Sequence, residues 1–142
     1  MNIFTYGSLM FPEVWLPVVG RSFETVAATA PGFEIFRVRD AVFPGIAVGT
    51  GNCSVPGLVY RDVDDKSAER LDRFEDDFYE RRSIAVDCAD GQRRMADAYV
   101  VPVANLGMLT NDPWTEDWFI TSGGLQDFID RFAGFGRARE GG

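Results

Sequence analysis

Two short segments of this chain carry residues whose types and spacing could support proton-transfer chemistry. The first is Tyr6-Gly7-Ser8-Leu9, which follows a short apolar stretch near the start of the chain. A glycine directly after a strand permits backbone angles closed to other residues, so the N–H groups of Gly7, Ser8 and Leu9 can converge on an anion or oxyanion. Ser8 adds a hydroxyl donor. The same residues also fit an ordinary strand-to-helix turn.

The second segment is an acidic, amphipathic stretch in which Glu75 lies four residues after Leu71. Residues four apart share a helix face, so Glu75 lies at the edge of the apolar stripe that contains Leu71 and Phe74. Loss of hydration against this stripe, together with crowding by Asp72 and Asp76, should raise the pKa of Glu75. A glutamate with a raised pKa can shuttle protons near neutral pH.

The helical pattern alone leaves other interpretations of Glu75 open. Its side chain could bend outward into solvent, or it could pair with Arg81 or Arg82. Most of its acidic neighbours fit a solvated helix face, because the window from Asp62 to Asp77 holds eight acids and three bases. Such a face could also dock a basic partner, and that interaction would be sensitive to salt.

The amino-acid composition narrows the possible chemistry. The chain has 142 residues, no histidine, a single lysine and a formal net charge of −8. Without histidine, Ser-His-Asp and Cys-His nucleophile systems and the usual histidine-bearing zinc sites are excluded. Acid–base chemistry would therefore fall to Asp or Glu, with tyrosine as a further candidate. The acidic balance argues against nucleic acid and anionic membranes as partners. We expect neither a metal nor a cofactor.

The cysteine count and the apolar runs suggest a location. Cys53 and Cys88 could pair in space, but two small, mostly buried thiols are the simpler interpretation. The segment at the start of the chain has no basic leader typical of a signal peptide. No apolar run approaches the ~18 residues of a membrane span. These features predict a cytoplasmic protein.

The patterning predicts strands, turns and helices in an order typical of an α+β domain. Asp90-Gly91 predicts a hairpin turn, and Pro56-Gly57 predicts an edge or a bulge in its strand. Pro12 marks a possible helix start, with Pro17 keeping that helix short or kinked. The predicted strands cover residues 2–6, 23–30, 33–38, 42–48, 54–63, 79–87 and 95–103. The two main predicted helices cover 64–76 and 125–132, the second capped by Ser122 and ended by Gly134.

These elements fit one domain over residues 1–142, with 136–142 as a frayed tail. The predicted strands lie too close together in sequence for helical crossovers between them. A mostly antiparallel, curled sheet or small barrel is therefore expected.

The two chemical segments, in this order, resemble the signatures of the gamma-glutamylcyclotransferase-like superfamily. Residues 4–9, Phe-Thr-Tyr-Gly-Ser-Leu, are similar to its opening motif, and Leu71 to Glu75 followed by Tyr79-Glu80-Arg81 is similar to its second motif. The resemblance is closest to the short bacterial members of the group of avirulence-induced-gene-like (AIG2-like) proteins and gamma-glutamylamine cyclotransferases. Weaker matches occur at residues 44–46, 55–60, 98–100 and in a predicted helix over 118–135.

The resemblance implies a small mixed barrel with flanking helices, which places the Tyr6–Leu9 loop and Glu75 in one cavity. It also implies an enzyme, an acyltransferase or lyase that converts a gamma-glutamyl amine or amino acid to 5-oxoproline and a free amine. Glu75 would be the general acid/base, and Tyr6, Gly7, Ser8 and Leu9 would bind the substrate. Tyr79 and Tyr99 match cavity-lining positions, although both could equally be core aromatics.

Phe74 precedes the glutamate as in the short members, so glutathione is not the favoured substrate. Asp76-Asp77 stands where many relatives carry a glycine. A module that binds a small carboxylate in the same cavity without turning it over is the alternative function. The oligomeric state is left open.

Overall fold

The computed structural model describes residues 1–49 and 51–130. Its strands are β1 (Ile3–Thr5), β2 (Thr25–Pro31), β3 (Phe33–Arg37), β4 (Pro44–Val48), β5 (Ser54–Tyr60), β6 (Glu80–Cys88) and β7 (Arg93–Val100). The helices are α1 (Pro12–Val19), α2 (Asp65–Glu75) and α3 (Glu116–Thr121), and residues 124–130 are also helical. Short 3-10 turns occupy Ser8–Met10, Asp76–Phe78 and Val103–Met108.

Five strands close into a barrel in the order β1-β5-β2-β6-β7. The pairings are antiparallel except where β1 meets β7, with Ile3 opposite Asp97 in a parallel arrangement. β3 and β4 form a separate two-stranded sheet, tied to the barrel by a hydrogen bond from the Val101 N–H to the Ile46 carbonyl at 3.0 Å. The predicted α+β class, with a small mixed and mostly antiparallel barrel and flanking helices, is confirmed.

The first strand shows how the core is divided. Ile3 and Phe4 are both fully buried, but successive side chains of a strand point to opposite faces. Phe4 joins the cluster inside the barrel, whereas Ile3 joins a second cluster between the barrel and helices α1 and α2. Tyr6, two residues after Phe4, belongs to the inner cluster, which places the start of the 6–9 loop at one mouth of the barrel.

Pro56-Gly57 predicted an edge or a bulge, and β5 has the character of an edge only around Pro56. β5 is flanked by β1 and β2 and is therefore an interior strand of the barrel. The β1 pairing ends at Leu58, so Pro56 faces a partner in β2 alone. A missing N–H is tolerated there because no second neighbour needs it.

The helix predicted over 118–135 is interrupted. Thr115 caps α3 by accepting a hydrogen bond from the Trp118 N–H at 3.1 Å. Ser122 closes α3 at its C-terminal end and does not cap the next segment, so that prediction was wrong. Gly123, with φ of 87°, breaks the chain direction before helical structure resumes at 124. The predicted end at Gly134 and the predicted tail over 136–142 lie outside the described residues.

Cys53 and Cys88 are both free thiols, the first half-buried and the second buried. The interpretation as two unpaired thiols is therefore confirmed. Over residues 1–49 and 51–130, no helix combines the length and apolar character that a membrane span requires.

Candidate active site

One small pocket brings together the residues predicted to form the site. Its volume is about 30 Å³, room for about one water molecule. All seven predicted site residues line it: Tyr6, Gly7, Ser8, Leu9, Glu75, Tyr79 and Tyr99. Phe4, Thr5, Phe43 and Pro44 complete the lining.

The 6–9 loop is held in place from beneath. The Tyr60 hydroxyl donates a hydrogen bond to the Leu9 carbonyl at 2.8 Å, and the Tyr60 ring stacks on Trp15 with 3.5 Å between centroids. The turn itself is closed by hydrogen bonds from Met10 and Phe11 to the Gly7 and Ser8 carbonyls. β5 and α1 therefore fix the loop against the barrel.

The loop N–H groups stay available to a ligand. The first N–H groups of a helical turn have no partner within that turn. Within the described part of the chain, no group accepts a hydrogen bond from the N–H of Gly7, Ser8 or Leu9. Ser8 is buried with only 6% of its surface exposed, and all three residues line the small pocket.

Helix α2 carries Glu75 to the pocket. The Asp64 carboxylate caps the helix by accepting hydrogen bonds from the Ser67 N–H at 3.2 Å and the Ser67 hydroxyl at 2.6 Å. Leu71 is fully buried against the barrel, and Glu75, one turn later, is the last residue of α2. Capping at one end and burial of Leu71 thus determine where the carboxylate points.

Glu75 as a whole residue is half-buried, and burial of its carboxyl group raises the pKa from 4.5 to about 8. Neither Arg81 nor Arg82 forms an ion pair with it in the described residues. The raised pKa agrees with the sequence-based expectation, and burial is its cause among the described residues. The charge of Asp72 is not among the causes of the Glu75 shift. The predicted crowding by Asp76 rests on a side chain outside those described and stays a prediction.

Asp72 accepts a hydrogen bond from the Tyr99 hydroxyl at 2.7 Å and lies 3.5 Å from the Arg81 guanidinium. Arg81 also lies 3.8 Å from Asp97. The Tyr99 hydroxyl is thus directed to the α2 surface, and burial together with this bond to Asp72 raises the pKa of Tyr99. Sequence reasoning placed Asp72 toward solvent and counted it as crowding Glu75, and it missed this contact with Tyr99.

The hydroxyls of the other two site tyrosines donate to backbone carbonyls instead. The Tyr6 hydroxyl donates to the Tyr99 carbonyl, and the Tyr79 hydroxyl donates to the Pro44 carbonyl. Burial is the main cause that raises the pKa of both, and the Glu75 charge adds to it. All three hydroxyls therefore stay protonated and serve as donors.

The comparisons with known proteins agree with this arrangement. Residues 3–118 match the model of the family described as gamma-glutamyl cyclotransferase, AIG2-like. The chain belongs to this family. AIG2-like protein A from Arabidopsis thaliana is 36% identical over 95 residues, which cover 67% of this chain and 57% of that relative. The matched part is thus little more than half the length of that relative.

Two solved structures have the same fold. An Arabidopsis thaliana protein determined in solution matches with a TM-score of 0.71 at 22% identity, covering 98% of this chain and 83% of that one. An AIG2-like protein from Mus musculus matches with a TM-score of 0.61 at 20% identity, covering 81% and 85%.

Phe43 and Pro44 are site residues that sequence reasoning missed in this family member. Pro44-Gly45 marked a weak family motif without a role. The structure gives Pro44 a role, because it packs against the 6–9 loop. A Cβ on Gly7 would lie 2.6 Å from the Pro44 ring, so the loop and β4 are in direct contact. Among the described residues, no cluster of three or more His, Cys, Asp or Glu side chains could hold a metal ion.

Proposed function

We propose that this protein is a gamma-glutamylcyclotransferase-type enzyme that converts a gamma-glutamyl amine or amino acid to 5-oxoproline and a free amine. The observation that carries the proposal is the Glu75 carboxyl group, with a pKa of about 8, in the same pocket as the amide-lined 6–9 loop. A titratable group close to neutral pH beside unused N–H donors suits acid–base catalysis on an anionic substrate.

In the first step, the Glu75 carboxylate takes a proton from the α-ammonium group of the substrate. The neutral amine then attacks the gamma-carbonyl carbon of the same molecule and forms the lactam carbon–nitrogen bond. The bond from that carbon to the leaving nitrogen breaks as Glu75 returns the proton to it. The second proton shed by the attacking nitrogen follows the same route, so the amine departs as an ammonium ion.

This reaction needs few protein groups, which agrees with a chain that lacks histidine. The nucleophile belongs to the substrate, and an oriented intramolecular attack can gain about 7–11 kcal/mol. Gly7, Ser8 and Leu9 would hold the substrate carboxylate through their N–H groups. Tyr6, Tyr79 and Tyr99 would shape the pocket wall, with their hydroxyls already bonded to the protein.

The pocket must widen for a glutamyl group to enter, since its volume of about 30 Å³ fits about one water molecule. A larger cavity of about 520 Å³ shares Ser8, Phe43, Glu75 and Tyr79 with it. Movement of the Phe43 and Tyr79 side chains would join the two spaces at Glu75. The scissile amide would lie at this junction.

The test is 5-oxoproline release from a panel of gamma-glutamyl amines and amino acids. Glu75→Gln keeps the size of the side chain but removes its titratable proton, so it should lower kcat by about 10²–10⁴-fold. Glu69→Gln, an exposed site on the same helix, is the matched control and should keep full activity. Turnover that survives in Glu75→Gln would refute the assigned role.

A panel that produces no 5-oxoproline, while gamma-glutamyl compounds still raise the Tm, would instead favour the non-catalytic carboxylate-binding module. Ligand binding to the folded state alone stabilises it by mass action. That stabilisation should survive in Glu75→Gln if the loop donors hold the carboxylate.

A further inference from the structure

A second cavity lies directly beside Glu75. Its volume is about 520 Å³, in the usual range for small-molecule sites. Four of its lining residues, Ser8, Phe43, Glu75 and Tyr79, also line the small pocket. The two spaces therefore meet at the carboxyl group proposed to move the proton.

The wall of this cavity is mostly apolar. Side chains without polar groups come from five places: the loop before β4, the end of α2, the turn that follows it, the 3-10 turn over Val103–Met108, and the helical residues 124–130. They are Val38, Ala41, Phe43, Phe74, Phe78, Met108 and Phe128. A group that enters from Glu75 would thus lose water to an aromatic-rich surface, which favours apolar over polar groups.

Two charged side chains besides Glu75 line the same cavity, Arg39 and Asp40. Both are exposed, and neither forms an ion pair with any other residue in the ranges 1–49 and 51–130. By contrast, the Arg37 guanidinium lies 4.0 Å from the centre of the Trp118 ring and bonds to the Pro113 carbonyl. Arg39 is thus the cation available to an anionic ligand at this wall.

Resting on the proposed function, we propose that this cavity binds the leaving half of the substrate, and that the preferred leaving group is an apolar amino acid whose carboxylate pairs with Arg39. The leaving nitrogen must receive its proton at Glu75, so the leaving group extends from that point. Of the two spaces that touch Glu75, only the larger has room for it.

A guanidinium binds a carboxylate through two parallel N–H donors. Arg39 at the cavity wall would therefore favour a leaving group that carries a carboxylate. The Asp40 carboxylate opposes such a group by like-charge repulsion. Asp40 has φ of 58°, a conformation that asparagine also tolerates. Asp40→Asn therefore removes the opposing charge without straining the backbone.

The experiment compares two substrates that differ only by the carboxylate, gamma-glutamylphenylalanine and gamma-glutamylphenethylamide. The measured quantity is the ratio of their kcat/KM values from 5-oxoproline release. We expect the wild type to favour the phenylalanine compound about tenfold, the effect of a contact worth about 1.4 kcal/mol. Gamma-glutamylglycine, which keeps the carboxylate but has no side chain, should be poorer because it leaves the apolar wall unfilled.

Arg39→Gln should bring the ratio close to one, whereas Asp40→Asn should raise it. Arg82→Gln, an exposed arginine on β6 that lines neither cavity, is the matched control and should leave the ratio unchanged. An unchanged ratio in Arg39→Gln, or a wild-type preference for the glycine compound, would overturn this inference.

The two proposals fail in different ways. In one outcome, the protein releases 5-oxoproline from at least one of the three compounds, while the kcat/KM ratio is the same in the wild type and in Arg39→Gln. That result would support the proposed reaction and contradict the assignment of the cavity. If none of the three compounds, nor any other member of the wider panel, releases 5-oxoproline, both proposals fall. Tm values of the variants show whether a lost ratio reflects lost folding.

Discussion

Gly7 packs directly on Pro44, which leaves no space for a side chain between the 6–9 loop and strand β4. A Cβ at Gly7 would lie 2.6 Å from Pro44 Cγ and 2.8 Å from Pro44 Cδ. The Pro44 carbonyl in turn accepts the hydrogen bond from the Tyr79 hydroxyl. Pro44 therefore contacts both the 6–9 loop, through Gly7, and Tyr79, which follows the Asp76–Phe78 turn.

Gly7→Ala should lower both stability and activity. The added methyl group must push the Pro44 ring away, and overpacking of this kind typically costs about 1–3 kcal/mol. Because Pro44 lines the pocket, kcat/KM should fall as well. Chemical denaturation and 5-oxoproline release measure the two effects. Gly107→Ala is the control, since a Cβ there would meet nothing within 4 Å; an equal loss in both variants would contradict the prediction.

The raised pKa of Glu75 should make folding stability depend on pH. The pKa is about 8 in the folded chain and 4.5 without burial, so between these values the folded state binds more protons than the unfolded state. As far as this group is concerned, the free energy of unfolding should therefore be highest below pH 4.5, fall as the pH rises from 4.5 to about 8, and level off above that. The slope is at most about 1.4 kcal/mol per pH unit.

Denaturation of the wild type, Glu75→Gln and Glu69→Gln at several pH values between about 5 and 8.5 isolates this contribution. The stability of Glu75→Gln relative to the wild type should rise with pH, because the variant has no proton to lose. Glu69→Gln, which changes an exposed residue of the same helix, should follow the wild-type curve. Parallel curves for all three proteins would show that the Glu75 carboxyl group is not desolvated.

The pH dependence of catalysis should report the ionisation of Glu75. The base form of Glu75 is needed to accept the substrate proton, so kcat/KM should rise about tenfold per pH unit on the acid side and level off near pH 8. In the enzyme–substrate complex, the ammonium group of the substrate stabilises the Glu75 carboxylate and lowers its pKa. The acid side of the kcat profile should therefore lie at lower pH than that of kcat/KM. A kcat/KM profile that is flat between about pH 6 and 8 would contradict Glu75 as the base.

The contact between Tyr99 and Asp72 should be measurable as a coupling energy. Its length is 2.7 Å, but the Asp72 side chain is 44% exposed, so water can replace part of it. A double-mutant cycle of Tyr99→Phe and Asp72→Asn should give a coupling of about 1 kcal/mol in the free energy of unfolding. A coupling near zero would mean that the hydroxyl does not bond to Asp72 in solution.

Sequence reasoning predicted best the elements that local chemistry specifies. The β6–β7 hairpin turns at Asp90-Gly91, where Gly91 has φ of 85° and no other residue type adopts that conformation as readily. Helix α2 begins next to a capping carboxylate at Asp64 and buries Leu71, as its acidic start and apolar stripe predict. Ser122 was assigned to the wrong helix because Gly123 interrupts the helical segment directly after it. The edge at Pro56 was correct only locally because β1 and β2, which flank β5, come from other parts of the chain.

By itself, the sequence determined which chemistry was possible. With no histidine, proton transfer falls to carboxylates, and the order of a Tyr-Gly-Ser-Leu loop and a glutamate at the edge of an apolar helix stripe indicated both the family and Glu75. These are properties of residue type and short-range periodicity, which a linear pattern retains.

Only the tertiary structure decided how these residues meet. Closure of the barrel through the parallel β1–β7 contact brings residues 6–9 next to Tyr99, and burial of Leu71 turns Glu75 toward the same pocket. The direction of the Tyr99 hydroxyl to Asp72 and the larger cavity with Arg39 depend on the same long-range packing. The physical reason is that desolvation and cavity shape are set by atoms from many segments at once, which no local pattern records.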